Sequence, residues 1–548
     1  MAAEDGLAAS FDYIIVGAGS AGAVIANRLS ADPAVSVLLL EAGDWSNDLL
    51  MKMPLGAHLM RHPHLSWGYV SEPIPYLGRP MPLPRGKAVG GSSLVNAMAY
   101  SRGHPKDYDQ WRQMGCEGWG YADVLPYFKR SERSWRGESD YHGGSGEMGV
   151  SRGGIAGRLY EETVAAAKAL GYRESPDLHG EIPEGFSVPE FTHWRGRRVS
   201  TAHAFLGPVR RRPNLRIETG ALVRRVIIED DRAVGIEYER NGEVLSARAG
   251  REVVLSGGTY NSPQLLMLSG IGPADELRQH GIEPVLDLPG VGRNISEHAS
   301  FFISYRTSGR ISLLKHLRWD RLVANMARWW FLGSGPFSVQ ATSAHAQVRT
   351  RPELERPDIQ IYFNPARMDA RPWFPMLQPA QEDQINALAV LLHPDSRGWM
   401  TLRSKDPRDP PRIFLNLFSE RSDVETLIRG LRIARQVFET EPLAGLVAEE
   451  VSPGKAVQTD AEFEAYLKKV CLVSHHPVGT CKMGHDAMAV VDPQLRLRGI
   501  AGLRVADASI MPTVPGGNTN APSIMVGEKA ADLIRGVALA PADVPEVA

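Results

Sequence analysis

The sequence predicts an α/β fold that opens with a Rossmann-type βαβ unit and continues into a second, α+β domain. The chain has 548 residues, which is too long for one simple hydrophobic core. Its opening stretch, "FDYIIVGAGSAGAVIANRLSADPAVSVLLLEAGD", holds two buried-strand patterns on either side of one helical pattern. Further along, "DIQIYFNP" and "INALAVLLHP" are strand-like and indicate the bulk of the second domain.

The individual elements follow from the spacing of apolar residues. Residues 11–16 are β-branched and apolar and end at glycine, residues 21–29 have helical spacing, and "VSVLLLEAG" predicts the next buried strand. Residues 214–240 alternate, which predicts an antiparallel ribbon with a turn at Asp230 and Asp231. "EVVLSGG" predicts a short buried strand. We predict helices over 159–171, 262–272, 313–332, 421–440, 460–470 and 521–537, and ordered loop over 51–110.

The predicted organisation has three parts and a short tail. We expect residues 11–306 to form an N-terminal region that is built on the βαβ unit and carries a lid loop at about 51–110. We expect residues 307–395 to form the bulk of the second domain. Residues 396–537 are expected to complete that domain and return to the first one, and residues 538–548 are a tail.

Composition excludes several classes of protein. The formal net charge is −2, so no basic field indicates a nucleic-acid partner. The three cysteines lie far apart or in unlike contexts, which argues against a disulfide framework and fits a reducing compartment. The first ten residues lack the basic and apolar regions of a secretory signal, and no apolar run reaches eighteen residues. We therefore expect a cytoplasmic protein.

A glycine motif marks a dinucleotide site. Gly17, Gly19 and Gly22 form GxGxxG directly between the first strand and the first helix. Gly17 permits a tight turn, Gly19 lets the backbone approach a pyrophosphate, and Gly22 lets the helix pack on the strand. Glu41 ends the second strand, where a carboxylate accepts hydrogen bonds from ribose hydroxyls and repels a 2′-phosphate. The ligand is therefore FAD or NAD, and Asp507, late in the chain as in two-motif flavoproteins, favours FAD.

Four further motifs agree in their order along the chain. They are "GKAVGGSSLVN" at 86–96, "GTYNSPQLLMLSGIG" at 258–272, "HPVGTCKMG" at 476–484, and "GLRVADASIMPTVPGGNTNAPSIMVGEKAADLI" at 502–534. Together they resemble the glucose–methanol–choline (GMC) oxidoreductase family over nearly the whole chain, from about residue 11 to about 537. The resemblance implies a Rossmann-type FAD domain joined to a substrate domain built on an antiparallel sheet.

The resemblance also implies which residues hold FAD. Some relatives carry a histidine that bonds covalently to the flavin; the matching position is Val95, so we expect noncovalent FAD. Val223 matches a strand whose backbone touches the adenine, and Asp507 the ribityl or pyrophosphate region. The full set of expected cofactor contacts is Gly17, Gly19, Ser20, Ala21, Gly22, Glu41, Ala42, Gly90, Gly91, Ser92, Val95, Asn96, Ala97, Met98, Val223, Asp507, Ala508, Asn518 and Thr519.

Two residues match the catalytic positions of the family, His476 before "PVGT" and Asn518 before the last helix. Oxidation of an alcohol requires removal of the O–H proton as the hydride leaves the carbon for flavin N5. A neutral imidazole takes that proton near neutral pH, and an amide N–H stabilises the developing alkoxide. Asn518 is also placed to cap the last helix. For the neighbouring His475 two interpretations stay open, a wall of the site or a hydrogen-bonded core histidine.

Two other features suggest ligands or partners. His58, His62 and His64 form a histidine-rich stretch, but no Cys or acidic residue accompanies them at ligand spacing, so we expect polar lining of a lid and no metal site. The helix at 313–332 has a basic face (Lys315, Arg318, Arg321 and Arg328) and ends in Trp329, Trp330 and Phe331. It either contacts a membrane that contains a quinone acceptor or packs on the protein itself, and we expect the packing.

The expected activity is oxidation of a small-molecule alcohol to the aldehyde. Choline-oxidising members of the family place a carboxylate in the substrate domain, where it meets the trimethylammonium group. The comparable stretch here, "SVQATSAHAQVRT", holds no Asp or Glu, so the resemblance favours a neutral primary alcohol over choline. A pyridoxine-like alcohol is a variant of this prediction. The electron acceptor stays open between O₂ and a quinone or artificial acceptor. The alternative is a hydroxynitrile-lyase-type enzyme that uses FAD without redox turnover, since fold alone does not fix function.

Overall fold

The computed structural model describes residues 9–56, 63–153, 158–367, 369–375 and 377–544. Its helices are α1 (Ser20–Leu29), α2 (Ser92–Val95), α3 (Pro105–Gln113), α4 (Tyr121–Ser131), α5 (Arg158–Ala169), α6 (Gly258–Leu268), α7 (Ala274–Gln279), α8 (Trp319–Leu332), α9 (Arg421–Phe438), α10 (Asp460–Val470) and α11 (Asn520–Arg535). Short 3₁₀ turns lie at Leu50–Lys52, Pro63–Leu65, Leu313–His316, Leu443–Leu446 and Ala508–Ile510, and a π turn at Ala202–Leu206. No described helix is long and apolar enough to cross a bilayer.

The strands fall into two main sheets and several short pairs. They are β1 (Ala9–Val16), β2 (Val37–Leu40), β3 (Tyr69–Val70), β4 (Pro82–Leu83), β5 (Glu132–Ser134), β6 (Met148–Arg152), β7 (Gly185–Ser187), β8 (Glu190–Phe191), β9 (His193–Trp194), β10 (Arg197–Arg198), β11 (Leu215–Glu218), β12 (Ala221–Glu229), β13 (Arg232–Arg240), β14 (Glu243–Leu255), β15 (Ile271–Gly272), β16 (Leu286–Asp287), β17 (Ala299–Thr307), β18 (Ala344–Val348), β19 (Ile359–Asn364), β20 (Gln384–Leu391), β21 (Trp399–Thr401), β22 (Arg412–Phe414), β23 (Val447–Ser452), β24 (Leu472–Val473) and β25 (Leu503–Val505).

The first sheet confirms the predicted βαβ unit. Its strand order is β11-β2-β1-β14-β13-β12, with β25 on β14, and β11, β2, β1, β14 and β25 pair in parallel. The strands β1 and β2 are apolar because α1 covers one face of the sheet, and buried parallel strands need no polar alternation. Since parallel strands end at the same edge, the loops after β1, β2 and β25 meet there.

The predicted ribbon is present, although its first strand belongs elsewhere. The strands β12 and β13 pair antiparallel, and the turn residues Asp230 and Asp231 have φ of 47° and 55°, as a two-residue hairpin requires. Residues Leu215–Glu218, however, form β11, which pairs in parallel with β2. "EVVLSGG" covers the buried end of the thirteen-residue strand β14. The first half of this strand is largely exposed, and its apolar residues Val244 and Leu245 are adjacent and do not alternate with polar ones.

The second sheet is antiparallel throughout, which confirms the architecture that the family resemblance implies. Its order is β23-β17-β20-β19-β18-β7, with β24 on β17. Its strands come from all three parts of the predicted organisation, and α9 packs on β19 and β20. Residues of both sheets belong to one continuous hydrophobic core. The domain boundaries themselves stay a prediction.

The last helix returns to the first sheet. In α11, Gly527 lies against α1: a Cβ there would come within 2.7 Å of the Ala21 carbonyl oxygen. The Ser20 hydroxyl donates to Asn520 Oδ1 at 2.7 Å, at the start of both helices. Because of this packing, the residues just before α11 lie beside the loop after β1.

Candidate active site

The loop between β1 and α1 forms a concave site, called the cradle below, in which one of its three glycines faces unfilled space. Gly17 has φ of 102°, and a Cβ there would come within 2.5 Å of the Ser256 carbonyl oxygen. A Cβ on Gly22 would come within 1.9 Å of the Gly17 carbonyl oxygen. A Cβ on Gly19 meets no atom of the described residues within 4 Å. Gly17 and Gly22 are therefore required for packing, whereas Gly19 leaves space for a ligand next to the N-terminus of α1.

The glycine–serine loop at 90–98 forms the opposite wall of this cradle. The Gly90 N–H donates to the Ala18 carbonyl at 2.8 Å, and a Cβ on Gly91 would come within 2.8 Å of Gly19 Cα. The short helix α2 follows, and the chain then leaves through Asn96, Ala97 and Met98. Ser92 and Val95 lie in α2. The structure thus brings together two of the predicted cofactor-binding segments, which are seventy residues apart in sequence.

Glu41 ties the cradle to the end of β2. Its Oε2 accepts the Ala18 N–H and its Oε1 accepts the Gly43 N–H, each at 2.9 Å. Ala42 lies between Glu41 and Gly43 in the chain. Burial raises the pKa of the Glu41 carboxyl to about 7, against the effect of these backbone donors. Each carboxylate oxygen has a second lone pair, so the predicted hydrogen bond from a ribose hydroxyl remains geometrically available.

Asp507 and Val223 lie at two other edges of the first sheet. The Asp507 carboxylate accepts from Gly258 N at 2.9 Å, Ser262 Oγ at 2.5 Å and Ser509 N at 2.8 Å, so it joins the end of β25 to α6. The predicted contact of Asp507 and Ala508 with a cofactor would therefore come from their main chain. Val223 is buried on β12 beside an extra residue in the pairing with β13, a bulge of the kind found near binding sites.

His476 and Asn518, predicted from motifs forty-two residues apart, are in contact. Asn518 Nδ2 lies 3.1 Å from His476 Nε2. The prediction that Asn518 caps the last helix is wrong, because α11 begins at Asn520 with Thr519 at the cap position and no capping side chain. The Asn518 amide instead lies between His476 and the Tyr362 hydroxyl, which donates to Asn518 Oδ1 at 2.6 Å.

A chain of hydrogen bonds determines which ring nitrogen carries the proton in His298 and in His476. His298 Nε2 lies 3.0 Å from the Leu392 carbonyl, which only accepts, so this nitrogen carries the proton. Neutral His298 then has a bare Nδ1, which accepts from His476 Nδ1 at 3.1 Å. His476 therefore carries its proton on Nδ1, and its bare Nε2 accepts the Asn518 amide N–H. The geometry leaves the Nε2 lone pair of His476 as the basic atom of the site.

Burial keeps these imidazoles neutral. It lowers the pKa of His476 well below 6.5, with smaller effects from His298, His475 and Arg85, and lowers the pKa of His298 to about 3. The backbone N–H of His476 donates to Glu297 Oε1 at 2.7 Å, and burial raises the pKa of that carboxyl to about 7. A neutral histidine with a free Nε2 is the protonation state that a general base requires.

His475 takes no part in this chain. Its φ is 63°, in the left-handed region, so the backbone is not extended here as the sequence argument assumed. No described residue forms a hydrogen bond with its Nδ1. Its carbonyl accepts from Arg85 at 2.8 Å, and burial lowers its pKa to about 3. The ring is half-buried, and the interpretation as a hydrogen-bonded core histidine is not supported at Nδ1.

Three residues of the site were missed from the sequence. Glu297 and His298 lie immediately before β17 and Tyr362 lies within β19, at 156 to 179 residues from their partners. The dipeptide Glu297-His298 is a local signal, but its link to His476 is tertiary. His58 and His62 lie outside the described residues, and the described part of the chain holds no group of three or more His, Cys, Asp or Glu able to bind a metal.

Sequence comparison decides the family. The N-terminal part of the GMC oxidoreductase family matches residues 11–300, and the C-terminal part matches residues 394–527. The chain belongs to the GMC oxidoreductase family. It is therefore an oxidoreductase that acts on CH–OH groups, and the family together with its FAD-dependent neighbours implies FAD as cofactor.

Curated relatives and solved structures match almost the entire chain. An oxygen-dependent choline dehydrogenase of Sinorhizobium fredii is 43% identical over 531 residues, with 96% of this chain and 95% of the relative covered. A mitochondrial choline dehydrogenase of Mus musculus is 42% identical, with 96% and 89% covered. A pyridoxine 4-oxidase from Mesorbium loti superposes with a TM-score of 0.84 at 30% identity, with 95% and 98% covered. A formate oxidase variant from Aspergillus oryzae gives a TM-score of 0.90 at 28% identity, with 96% and 98% covered.

Proposed function

We propose that this protein oxidises a neutral primary alcohol to the aldehyde, with His476 as the general base. The observation that carries the proposal is the chain from Leu392 through His298 to His476, which leaves His476 Nε2 bare and next to the Asn518 amide. An alcohol that enters between these two side chains donates its O–H to Nε2 and accepts the amide N–H of Asn518. The Asn518 amide N–H then donates to the alcohol oxygen instead of to His476 Nε2, so no donor is left unsatisfied.

Removal of the proton and stabilisation of the oxygen fall to different groups. His476 takes the alcohol proton, and His298 accepts from the opposite side of the ring and stabilises the imidazolium that forms. Tyr362 holds the Asn518 carbonyl so that the amide N–H stays directed at the alcohol oxygen. FAD, when bound, supplies the two-electron acceptor for the hydride, at N5 of its ring.

The residues present fit FAD. Gly19 leaves space beside the N-terminus of α1, where backbone N–H groups and the helix dipole favour a pyrophosphate. The loop at 90–98 closes the cradle from the other side, and Glu41 supports it from β2. Val95 has no nucleophilic atom, so we propose noncovalent binding. Acid precipitation tests this: free flavin in the supernatant supports it, and flavin retained on the protein contradicts it.

The charge of the groups around Asn518 supports a neutral substrate. Asn518 hydrogen-bonds to His476, Tyr362 and Gln360, and all three side chains are uncharged. On β18, burial lowers the pKa of His345 to about 3, so that ring is also neutral. Ser343 donates its hydroxyl to the Phe363 carbonyl and offers no charge. A quaternary ammonium group would therefore lose its hydration without an anionic partner from these residues, and the carboxyl assigned to the surroundings of His476, Glu297, already accepts the His476 backbone N–H.

Choline is the second candidate, because the curated relatives are named choline dehydrogenase. The neutral compound 3,3-dimethylbutan-1-ol has the shape of choline without its charge, so the pair isolates the effect of the charge. We expect the neutral compound to bleach the flavin anaerobically with the higher kred/Kd. A clear preference for choline contradicts the neutral-substrate proposal while it leaves alcohol oxidation intact.

The alternative without redox turnover is tested by the same experiment. A panel of primary alcohols, including aliphatic, aromatic, furanic and pyridoxine-like compounds, is added to the purified flavoprotein without oxygen. Bleaching of the flavin by one class supports alcohol oxidation. No bleaching, together with cyanohydrin cleavage that depends on His476, supports the lyase. Readmitting air then measures whether O₂ accepts the electrons or an artificial acceptor is required.

A further inference from the structure

Helix α8 presents large apolar side chains to solvent. The exposed fractions are 50% for Trp319, 63% for Val323, 45% for Trp330, 79% for Phe331 and 73% for Leu332. Five such residues on a fourteen-residue helix exceed what single scattered surface hydrophobics account for. The expected packing on the protein is found on one face, where Trp329 is buried and Leu322 and Met326 pack against the same cluster, whereas these five side chains stay exposed.

The helix is nevertheless firmly anchored. Trp329 is buried, and its indole N–H donates to the Gly196 carbonyl at 2.7 Å. It belongs to a small hydrophobic core that is separate from the main one and consists of Met53, Leu55, Leu313, Leu314, Leu317, Trp329, Phe337 and Trp373. The left-handed Gly333, with φ of 59°, ends the helix. The exposed side chains thus lie on a fixed helix.

The charge around these side chains is positive. Residues 313–332 carry four basic side chains and one acidic one, a local charge of +3 in a chain with a net charge of −2. The single acid, Asp320, is paired with Arg318. Arg321 and Arg328 are exposed, and their hydrogen bonds go to neutral oxygens, the Lys315 carbonyl and Ser334 Oγ. Their positive charge is therefore available to an external anion.

We propose that α8 docks on the surface of an anionic lipid bilayer. Tryptophan, phenylalanine and leucine beside arginine and lysine are the composition of helices that lie in the membrane interface. With fourteen residues, the helix is about 21 Å long, which suits an in-plane orientation and not a span. The surface that docks is defined by Trp319, Val323, Trp330, Phe331 and Leu332, with Arg321 and Arg328 at its edge.

A second copy of this chain fits the surface less well. A two-fold dimer would place the same patch opposite itself, so a local charge of +3 would face an identical +3. Phe331 and Leu332 protrude with more than seven-tenths of their surface exposed. A convex, basic patch of this kind is matched by a soft anionic surface that deforms around it and supplies the opposite charge.

The test is co-sedimentation of the full-length holoprotein with lipid vesicles. Two vesicle types are used, phosphatidylcholine alone and phosphatidylcholine with phosphatidylglycerol. We expect binding to the anionic vesicles, reduced by salt, and weak binding to the neutral ones. The double variant Phe331→Glu/Leu332→Glu should lower partitioning by about tenfold or more, since two apolar side chains leave the interface. Arg321→Glu/Arg328→Glu should abolish the preference for anionic lipid.

A matched control tests whether vesicle binding depends on where the substitution is made or only on replacing an exposed apolar residue by an acid. Val244 on β14 is 53% exposed, far from α8 in sequence, and Val244→Glu should bind vesicles as the native protein does. All variants should keep native flavin content and anaerobic reduction rates, because none of these residues is among those assigned to the active site or to the cofactor. Equal binding by native protein and the Phe331/Leu332 variant contradicts the proposal. Failure of the native protein to bind anionic vesicles, or a concentration-dependent dimer that the variant abolishes, also overturns it.

Discussion

Substituting His298 by phenylalanine removes the acceptor for the Nδ1 proton of His476, while a ring of similar size fills the space. In the native chain this proton lies between two Nδ1 atoms 3.1 Å apart. Without the acceptor the N–H is buried and unsatisfied, which costs about 1–3 kcal/mol. The imidazole avoids this cost by moving its proton to Nε2. Nε2 then no longer accepts the alcohol proton.

The expected size of the effect follows from that cost. Since each 1.36 kcal/mol changes a rate tenfold, flavin reduction should slow by about 5- to 150-fold. Complete removal of a general base typically costs about 10²–10⁴-fold, so the His298 variant should lie between the native protein and a variant without His476. His298 acts through His476, and it is a positioning residue in this account.

The assay is stopped-flow flavin bleaching without oxygen, with the best alcohol of the panel. His298→Gln is the matched control, because its amide oxygen still accepts from His476 and its N–H still donates to Leu392. We expect the glutamine variant to recover most of the rate and both variants to bind flavin normally. If the phenylalanine variant bleaches as fast as the native protein, or glutamine is no better than phenylalanine, the tautomer argument is refuted.

Further predictions concern the cradle, the amide and acid stability. Gly19→Val should weaken FAD binding with little change in the melting temperature of the apoprotein. Gly22→Ala should lower that melting temperature, because its Cβ meets backbone at 1.9 Å. Equal effects of the two variants contradict the assignment of Gly19 to the ligand and Gly22 to packing. Tyr362→Phe frees the Asn518 carbonyl and should slow flavin reduction about tenfold, measured at saturating alcohol. The free energy of unfolding should fall as pH drops below about 6.5. In that range histidines of the unfolded chain become protonated, whereas the buried histidines of the folded protein stay neutral. Among the described residues ten histidines have a lowered pKa, and they outnumber Glu41 and Glu297, whose raised pKa of about 7 acts in the opposite direction. Urea unfolding at several pH values measures this, and a flat profile contradicts it.

Local pattern was sufficient for much of the fold. The strand–glycine–helix unit and the hairpin at Asp230 and Asp231 follow from period and turn chemistry, and both are found. The thirteen-residue strand β14 was recognised only at its buried end, because its first half is largely exposed and its apolar residues there do not alternate with polar ones. The helix at 313–332 has an amphipathic pattern, but pattern alone does not reveal whether another element covers it.

The proposed catalytic pair could be located from motifs, but its surroundings could not. His476 and Asn518 lie in recognisable stretches, and their contact at 3.1 Å agrees with the pairing that the resemblance implies. His298 is joined to His476 only through the packing of β17 against the segment after β24, so no spacing in the sequence reports it. The helix-capping role predicted for Asn518 failed because its amide is used by His476 and Tyr362 instead.

The most direct test of the account is the rate of anaerobic flavin bleaching by a primary alcohol in the native protein and in His476→Ala. We predict that the native flavin bleaches, and that the alanine variant keeps its flavin but bleaches about 10²–10⁴-fold more slowly. If no alcohol bleaches the native flavin, or if the alanine variant bleaches at the native rate, His476 is not the base of an alcohol oxidation.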